Sequence, residues 1–253
     1  MEGQKEKKDR LPAVKHLAHD ALHDLIHFDS KFFRTLQPLF FKPGYLAEQA
    51  LTSDGNNKYV KPFALFVFLN FIFFIFKSRG LFVYSLDTYR DNDGIIAYIA
   101  KRQVELHLQL PLLEERFNTA MHFEQKEYLV IMIPLFALVL QLLYGLKRRH
   151  FTEHLVFALY FYSFFIVYLM LMPYLIAPLA YFFPKAAIGE RALASIILFI
   201  NWIYLFFATR RVYSGTWFGS FLKSGVLSVT LYLLIAFVYR MALFYIVMHS
   251  IGE

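Results

Sequence analysis

Long apolar runs closed by bases constrain this chain more than any motif in it. Leu129–Leu146 stops at Lys147-Arg148-Arg149-His150, and Leu155–Ile176 follows at once. Ala192–Ala208 stops at Arg210-Arg211, and Val226–Val247 lies near the end. About 18 to 22 helical residues, at about 1.5 Å each, match the roughly 30 Å hydrocarbon core of a bilayer. A shorter run, FALFVFLNFIFFIF, sits between Lys61 and Lys77 and reads as a span completed by lysines reaching the interfaces. The runs specify an all-α fold, a polytopic transmembrane helical bundle of about five spans.

Composition agrees. Apolar residues make up 58% and aromatics 19% of the chain, a surface that aggregates in water but matches lipid. The chain has no cysteine, which excludes disulfides, thiolate metal sites and redox thiols. Its net charge of +7 fits a cytoplasmic membrane face and anionic lipid, so no nucleic-acid partner is expected.

Residues 1–61 read as a cytoplasmic amphipathic and interfacial region, and 62–253 as the transmembrane domain. The expected spans are about 62–77, 129–146, 155–176, 192–208 and 226–247, with a helical extracytoplasmic loop at 78–128. No cleavable leader is expected, because histidines and acids interrupt the stretch after Lys5, Lys7, Lys8 and Arg10. Lys and Arg number 10 in Met1–Lys61, and 3 each in Lys147–Glu153 and Thr209–Lys223. Bases collect on the cytoplasmic side, which places the N-terminus inside and predicts the bacterial inner membrane as the location.

Within Val14–Phe28, Leu17, Ala18, Ala21, Leu22, Leu25 and Ile26 share one helical face. His16, His19, His23 and His27 line the other, spaced so that imidazoles one turn apart can share a metal, zinc being the natural choice. The first reading of this stripe is a solvated polar face, with the metal site second and a pH-responsive charge stripe third. Beyond it, Pro38 and Pro43-Gly44 break a stretch of aromatics and bases suited to the headgroup region, and Ser53-Asp54-Gly55-Asn56 is a turn.

Four stretches resemble an uncharacterised bacterial membrane-protein family, domain-of-unknown-function family 3667. The first runs from Asp29–Phe33 through Arg34-Thr35-Leu36, Lys42-Pro43-Gly44 and Lys58-Tyr59 to Pro62. The others are Met132–Ala137, the segment His150–Phe164 with Glu153-His154 as its most specific pair, and Arg211-Val212-Tyr213-Ser214. The resemblance implies a membrane topology and no activity. Many relatives carry a cysteine zinc ribbon before this region, and this chain has none. Where they have a Gly-Lys-Arg type sequence, it has Asp54-Gly55-Asn56-Asn57-Lys58.

Several side chains are worth locating. His150 and His154 lie four apart beside Lys147, Arg148, Arg149 and Glu153, near Arg210 and Arg211 on the same expected side. A metal or phosphate site is one reading. The other has Glu153 stabilising a helix N-terminus and His154 filling an interfacial position. Arg240 sits inside the last apolar run, facing the bundle or reaching for the headgroups. Asn70, Gln141, Ser163 and Asn201 are polar residues in the other spans. Ser220, Ser224 and Ser228 form a small-residue stripe that permits close helix packing. Pro134 and Pro173 are expected to kink or end their helices unless neighbours support them, and Pro178–Pro184 to form an outer turn.

No HExxH, nucleotide-binding glycine loop or serine nucleophile elbow occurs. Three functions follow in order: a non-catalytic sensor, scaffold or assembly component, a small-solute or ion transporter, and an enzyme acting on lipid head groups. Membrane lipid is an expected partner, with a membrane-protein partner or a second copy beside it.

Overall fold

In lipid the backbone groups of an apolar run are satisfied by coiling, and each run becomes helical. A computed structural model describes residues 30–52, 58–75, 85–90, 92–124, 129–145, 149–182 and 190–251, and every regular element among them is helical. The stretch carrying His16, His19, His23 and His27, the turn at Ser53–Asn56, and Lys147 and Arg148 lie outside the described residues.

Three short elements open the described chain: α1 (residues 30–41), α2 (Tyr45–Thr52) and α3 (Pro62–Ile75). A 3-10 turn at Leu86–Tyr89 leads to α4 (Asp93–Leu106) and α5 (Leu110–Glu124). The remaining helices are α6 (Leu129–Tyr144), α7 (Phe151–Phe182), α8 (Glu190–Tyr213), α9 (Trp217–Leu233) and α10 (Arg240–Ser250). A π-helical turn at Leu234–Tyr239 joins the last two. Phe151–Tyr174, Ser195–Tyr213 and Trp217–Ser250 are long and apolar enough to cross a membrane, while Pro62–Phe73 and Val130–Tyr144 are shorter apolar helices. The chain is a membrane protein.

α7 is the hub. Its apolar window is 72% buried against 33% for α8 and for α9–α10, because α3 and α6 both pack along it. Phe136 of α6 stacks on Phe161 at 5.1 Å, and Tyr204 of α8 stacks on Phe164 at 3.7 Å. α6 runs through Pro134 and α7 through Pro173, so neither proline ends its helix. α7 also continues to Phe182, carrying Pro178, Tyr181 and Phe182 in helix where an outer turn was expected. α6 and α7 pack along each other, which holds the chain where Pro134 and Pro173 leave a ladder hydrogen bond missing.

The outward faces are apolar too. Phe63, Val67, Phe71 and Ile75 repeat every four residues along α3, and Ile196, Phe199, Ile203 and Phe207 form the matching stripe on α8. In water such stripes would be an aggregation liability; facing acyl chains they are matched to their solvent.

Residues 85–124 form a cap with specific anchors. Asn92 caps α4 by accepting from the Gly94 and Ile95 amides, and His107, at φ 52°, ends it. Pro111 falls in the first turn of α5, where its missing N–H costs nothing. Asn118 Oδ1 accepts from Leu86 N–H at 3.0 Å, and Tyr89 packs on Phe117 and Phe244. Arg102 donates to the Met248 carbonyl at 2.9 Å, satisfying a last-turn carbonyl of α10. It also donates to Glu105, which holds that carboxyl below its ordinary range.

Candidate functional site

The end of the bundle opposite this cap gathers the basic loop ends, and its organising residue is Gly44. The turn between α1 and α2 brings backbone directly onto α8. Gly44 has φ +76°, and a Cβ there would lie 2.6 Å from Ala208 O and 2.8 Å from Ala208 Cα. Only glycine meets both demands.

Side chains then fasten this turn to the spanning helices through backbone groups. Tyr204 OH donates to Leu39 O at 3.0 Å, and Arg211 donates to Pro43 O at 3.1 Å. The fully buried Thr35 hydroxyl donates to Lys31 O and accepts from Val60 N–H at 3.0 Å. Tyr160 OH donates to Val60 O at 3.0 Å. Both polar groups of the Val60 backbone are therefore satisfied by side chains, one from α1 and one from α7.

Arg149 joins two helix termini. Val212 O is an orphan carbonyl at the end of α8, where Ser214 turns left-handed at φ 48°, and Arg149 Nη2 donates to it at 2.8 Å. Arg149 Nη1 donates to Glu153 Oε2, also at 2.8 Å. Glu153 Oε1 accepts from the His150 amide at 3.2 Å, the reaching-back half of a capping box at the start of α7.

Behind Arg149 lies a sealed aromatic stack. His154 Nδ1 and Tyr213 OH share a hydrogen bond of 2.7 Å, and Tyr213 stacks on Tyr144 at 4.1 Å. Lys223 caps the far side, 4.5 Å over Tyr144, donating to Leu143 O at 2.7 Å. His154 and Tyr213 are both buried, and His154 Nε2 has no hydrogen-bonding partner. His150 is exposed and precedes the first turn of α7, so the two histidines share no face despite their spacing. No group of three or more histidine, aspartate or glutamate side chains among the described residues is placed to hold a metal.

The other singled-out residues have local roles. Arg210 lies 4.0 Å over the Trp217 ring. Arg211 also approaches Glu48 at 3.8 Å and the Tyr45 ring at 5.9 Å. A hydrogen bond with Tyr45 raises the pKa of the Tyr59 phenol above its ordinary value. Arg240 faces neither the bundle interior nor open headgroups. It donates to Thr88 O and lies 4.7 Å over Tyr89, whose OH donates to Arg240 O at 3.2 Å, so it pins the cap to α10. Ser163 Oγ donates to Leu159 O, and Asn201 Nδ2 to Ile197 O, both within their own helices. Asn70, Gln141 and Asn201 each keep a buried side-chain oxygen without a hydrogen-bonding partner. Ser220, Ser224 and Ser228 are buried; Ser228 Oγ donates across to Leu198 O at 2.9 Å, tying α9 to α8.

Thr35, Tyr160, Tyr204, Tyr144 and Lys223 do as much here as any residue picked out for its charge. Their common signal is a polar tip on a side chain whose body is buried, which spacing alone does not distinguish from ordinary core.

Residues 29–74 match a family model. Its description is "Protein of unknown function (DUF3667)". The match covers α1, α2 and α3, so the chain is similar to that family through the segment that Gly44, Thr35 and Val60 fasten to the bundle. No curated protein and no solved structure matches the chain.

Proposed function

We propose that this chain is a non-catalytic component of the bacterial inner membrane, a scaffold, sensor or assembly partner, with its N-terminus and basic end in the cytoplasm. One observation carries the reading. At the end where three of the four resemblance stretches meet, Thr35, Tyr160, Tyr204, Arg149 and Arg211 are spent on holding helices together. A pocket there, lined by Leu39, Gly44, Tyr160 and Ala208, holds about 10 Å³. That is room for about one water and not for a substrate. Five spans crossing alternately put residues 43–60, 149–154 and 209–217 on one side and the 85–124 cap with α10 on the other. Hydrogen bonds link the elements within each set.

The transporter reading loses its main motive, because Arg240 is committed to the cap. The head-group enzyme reading needs a reactive His–Arg–Glu cluster. Here Arg149 and Glu153 serve as helix caps and His154 is sealed. The zinc reading still rests on the histidine stripe, and elemental analysis of the purified protein tests it directly.

Purification in native membranes, followed by mass spectrometry of everything bound, tests the proposal as a whole. A membrane protein recovered in fixed stoichiometry, and lost on disrupting the 29–60 segment, supports it. Solute flux through the purified protein in proteoliposomes, or turnover of a lipid head group, contradicts it.

A further inference from the structure

The outer face of α8 and α9 carries a feature that the scaffold reading does not use. An apolar groove of about 380 Å³ runs between them, walled by Trp202, Phe221, Leu222, Val226 and Val229. Phe221, Leu222, Val226 and Val229 are all exposed. A line of ring contacts connects this groove to the basic end: Trp202 to Phe221 at 4.7 Å, Phe221 to Phe206 at 6.3 Å, and Phe206 to Trp217 at 5.5 Å. Arg210 then sits 4.0 Å over Trp217. Its Nη1 is buried with no acceptor, and none of the described carboxylates pairs with it. The line therefore starts at an unneutralised cation and ends in a hydrocarbon-lined channel.

The geometry points to a site for one anionic glycerophospholipid, its phosphate on Arg210 and an acyl chain in the α8–α9 groove. Thirteen helical steps from Trp217 to Thr230, at about 1.5 Å each, cover about 20 Å. That is half of a bilayer roughly 40–45 Å thick with its headgroups, the depth of a single leaflet. Charge complementarity selects an anionic head, and an arginine fork suits a phosphate. A second copy's helix fits less well. Close helix approach needs several small residues in a row; the groove offers only Gly225, and Ser228 of the small-residue stripe is already bonded to α8. The inference rests on the membrane-embedded reading.

The chain's two tryptophans are Trp202 and Trp217, so its intrinsic indole fluorescence reports on this site alone. The full chain is reconstituted into vesicles of phosphatidylcholine mixed with a lipid brominated on its acyl chains. That lipid is either phosphatidylglycerol or phosphatidylcholine, at equal mole fraction. Quenching should give phosphatidylglycerol about fivefold higher relative affinity, which is about 1 kcal/mol for one basic side chain. Arg210→Gln should abolish the preference and Arg210→Lys should retain most of it. Equal quenching by the two lipids, or a preference that survives Arg210→Gln, overturns the site. Protection of the tryptophans from both lipids that grows with protein density assigns the groove to a second copy and also overturns it. No quenching by either lipid at any density means that the chain is not embedded, a failure of the underlying reading and distinguishable from the others.

Discussion

Replacing Gly44 by alanine tests how the 29–74 segment is held. The new Cβ must sit at φ +76°, a left-handed conformation costing about 1–2 kcal/mol for a residue with a side chain. It would also lie 2.6 Å from Ala208 O and 2.8 Å from Ala208 Cα. Both are backbone atoms of α8, so no rotamer change relieves the overlap and the turn has to retreat. Retreat stretches the Tyr204–Leu39 bond of 3.0 Å, worth about 1 kcal/mol when buried, while the exposed Arg211–Pro43 bond adds little. The total is about 2–3 kcal/mol, or about 8 °C in a thermal transition for a chain of this size. The assay is unfolding of the purified protein in lipid nanodiscs, followed by fluorescence. Two further variants separate the causes. Gly44→Asn tolerates the left-handed conformation better, so it should recover part of the alanine loss but not the part that the overlap causes. Ala208→Gly should not rescue Gly44→Ala, because the clash is with backbone. A Gly44→Ala protein as stable as the native chain would refute the reasoning.

Thr35→Val keeps the shape but strips Val60 N–H of its acceptor, and should cost about 1–3 kcal/mol in the same unfolding assay, with Thr35→Ser close to native. Arg149→Met uncaps α8 and unpairs Glu153. For a partly exposed pair this should cost about 2 kcal/mol, and near-native stability would show that water replaces both bonds. Arg240→Leu should leave membrane insertion intact but free the 85–90 turn, so Ser85→Cys in that background should react faster with a thiol probe; an unchanged rate contradicts the pinning role.

The apolar helices are legible in the sequence because they depend on local hydropathy and length. The same holds for Glu153 at the start of α7, since a carboxylate at a helix N-terminus is a local effect. What escapes is everything that needs two distant segments. Nothing near Gly44 in the chain announces that Ala208 will press against it. His150 and His154 look like neighbours at a spacing of four, but α7 begins at Phe151 and leaves His150 outside the helix. Arg240 reads as an intramembrane charge until the π-helical turn at Leu234–Tyr239 and the 3-10 turn at Leu86–Tyr89 are placed together. Thr35 and Tyr160 lie in stretches that carry the family resemblance, but nothing local announces their role, because their partner is the backbone of Val60.

The absence of cysteine permits one measurement that bears directly on the proposed embedding and its direction. Lys42, at the basic end, and Lys101, on α4 of the cap, are both exposed and take a single cysteine each without burying it. Intact bacterial cells expressing either variant are treated with a membrane-impermeant maleimide, before and after permeabilisation. Lys101→Cys should label in intact cells, and Lys42→Cys only once the membrane is opened. Labelling of both in intact cells, or of Lys42→Cys alone, contradicts a bundle that crosses the membrane with its basic end in the cytoplasm.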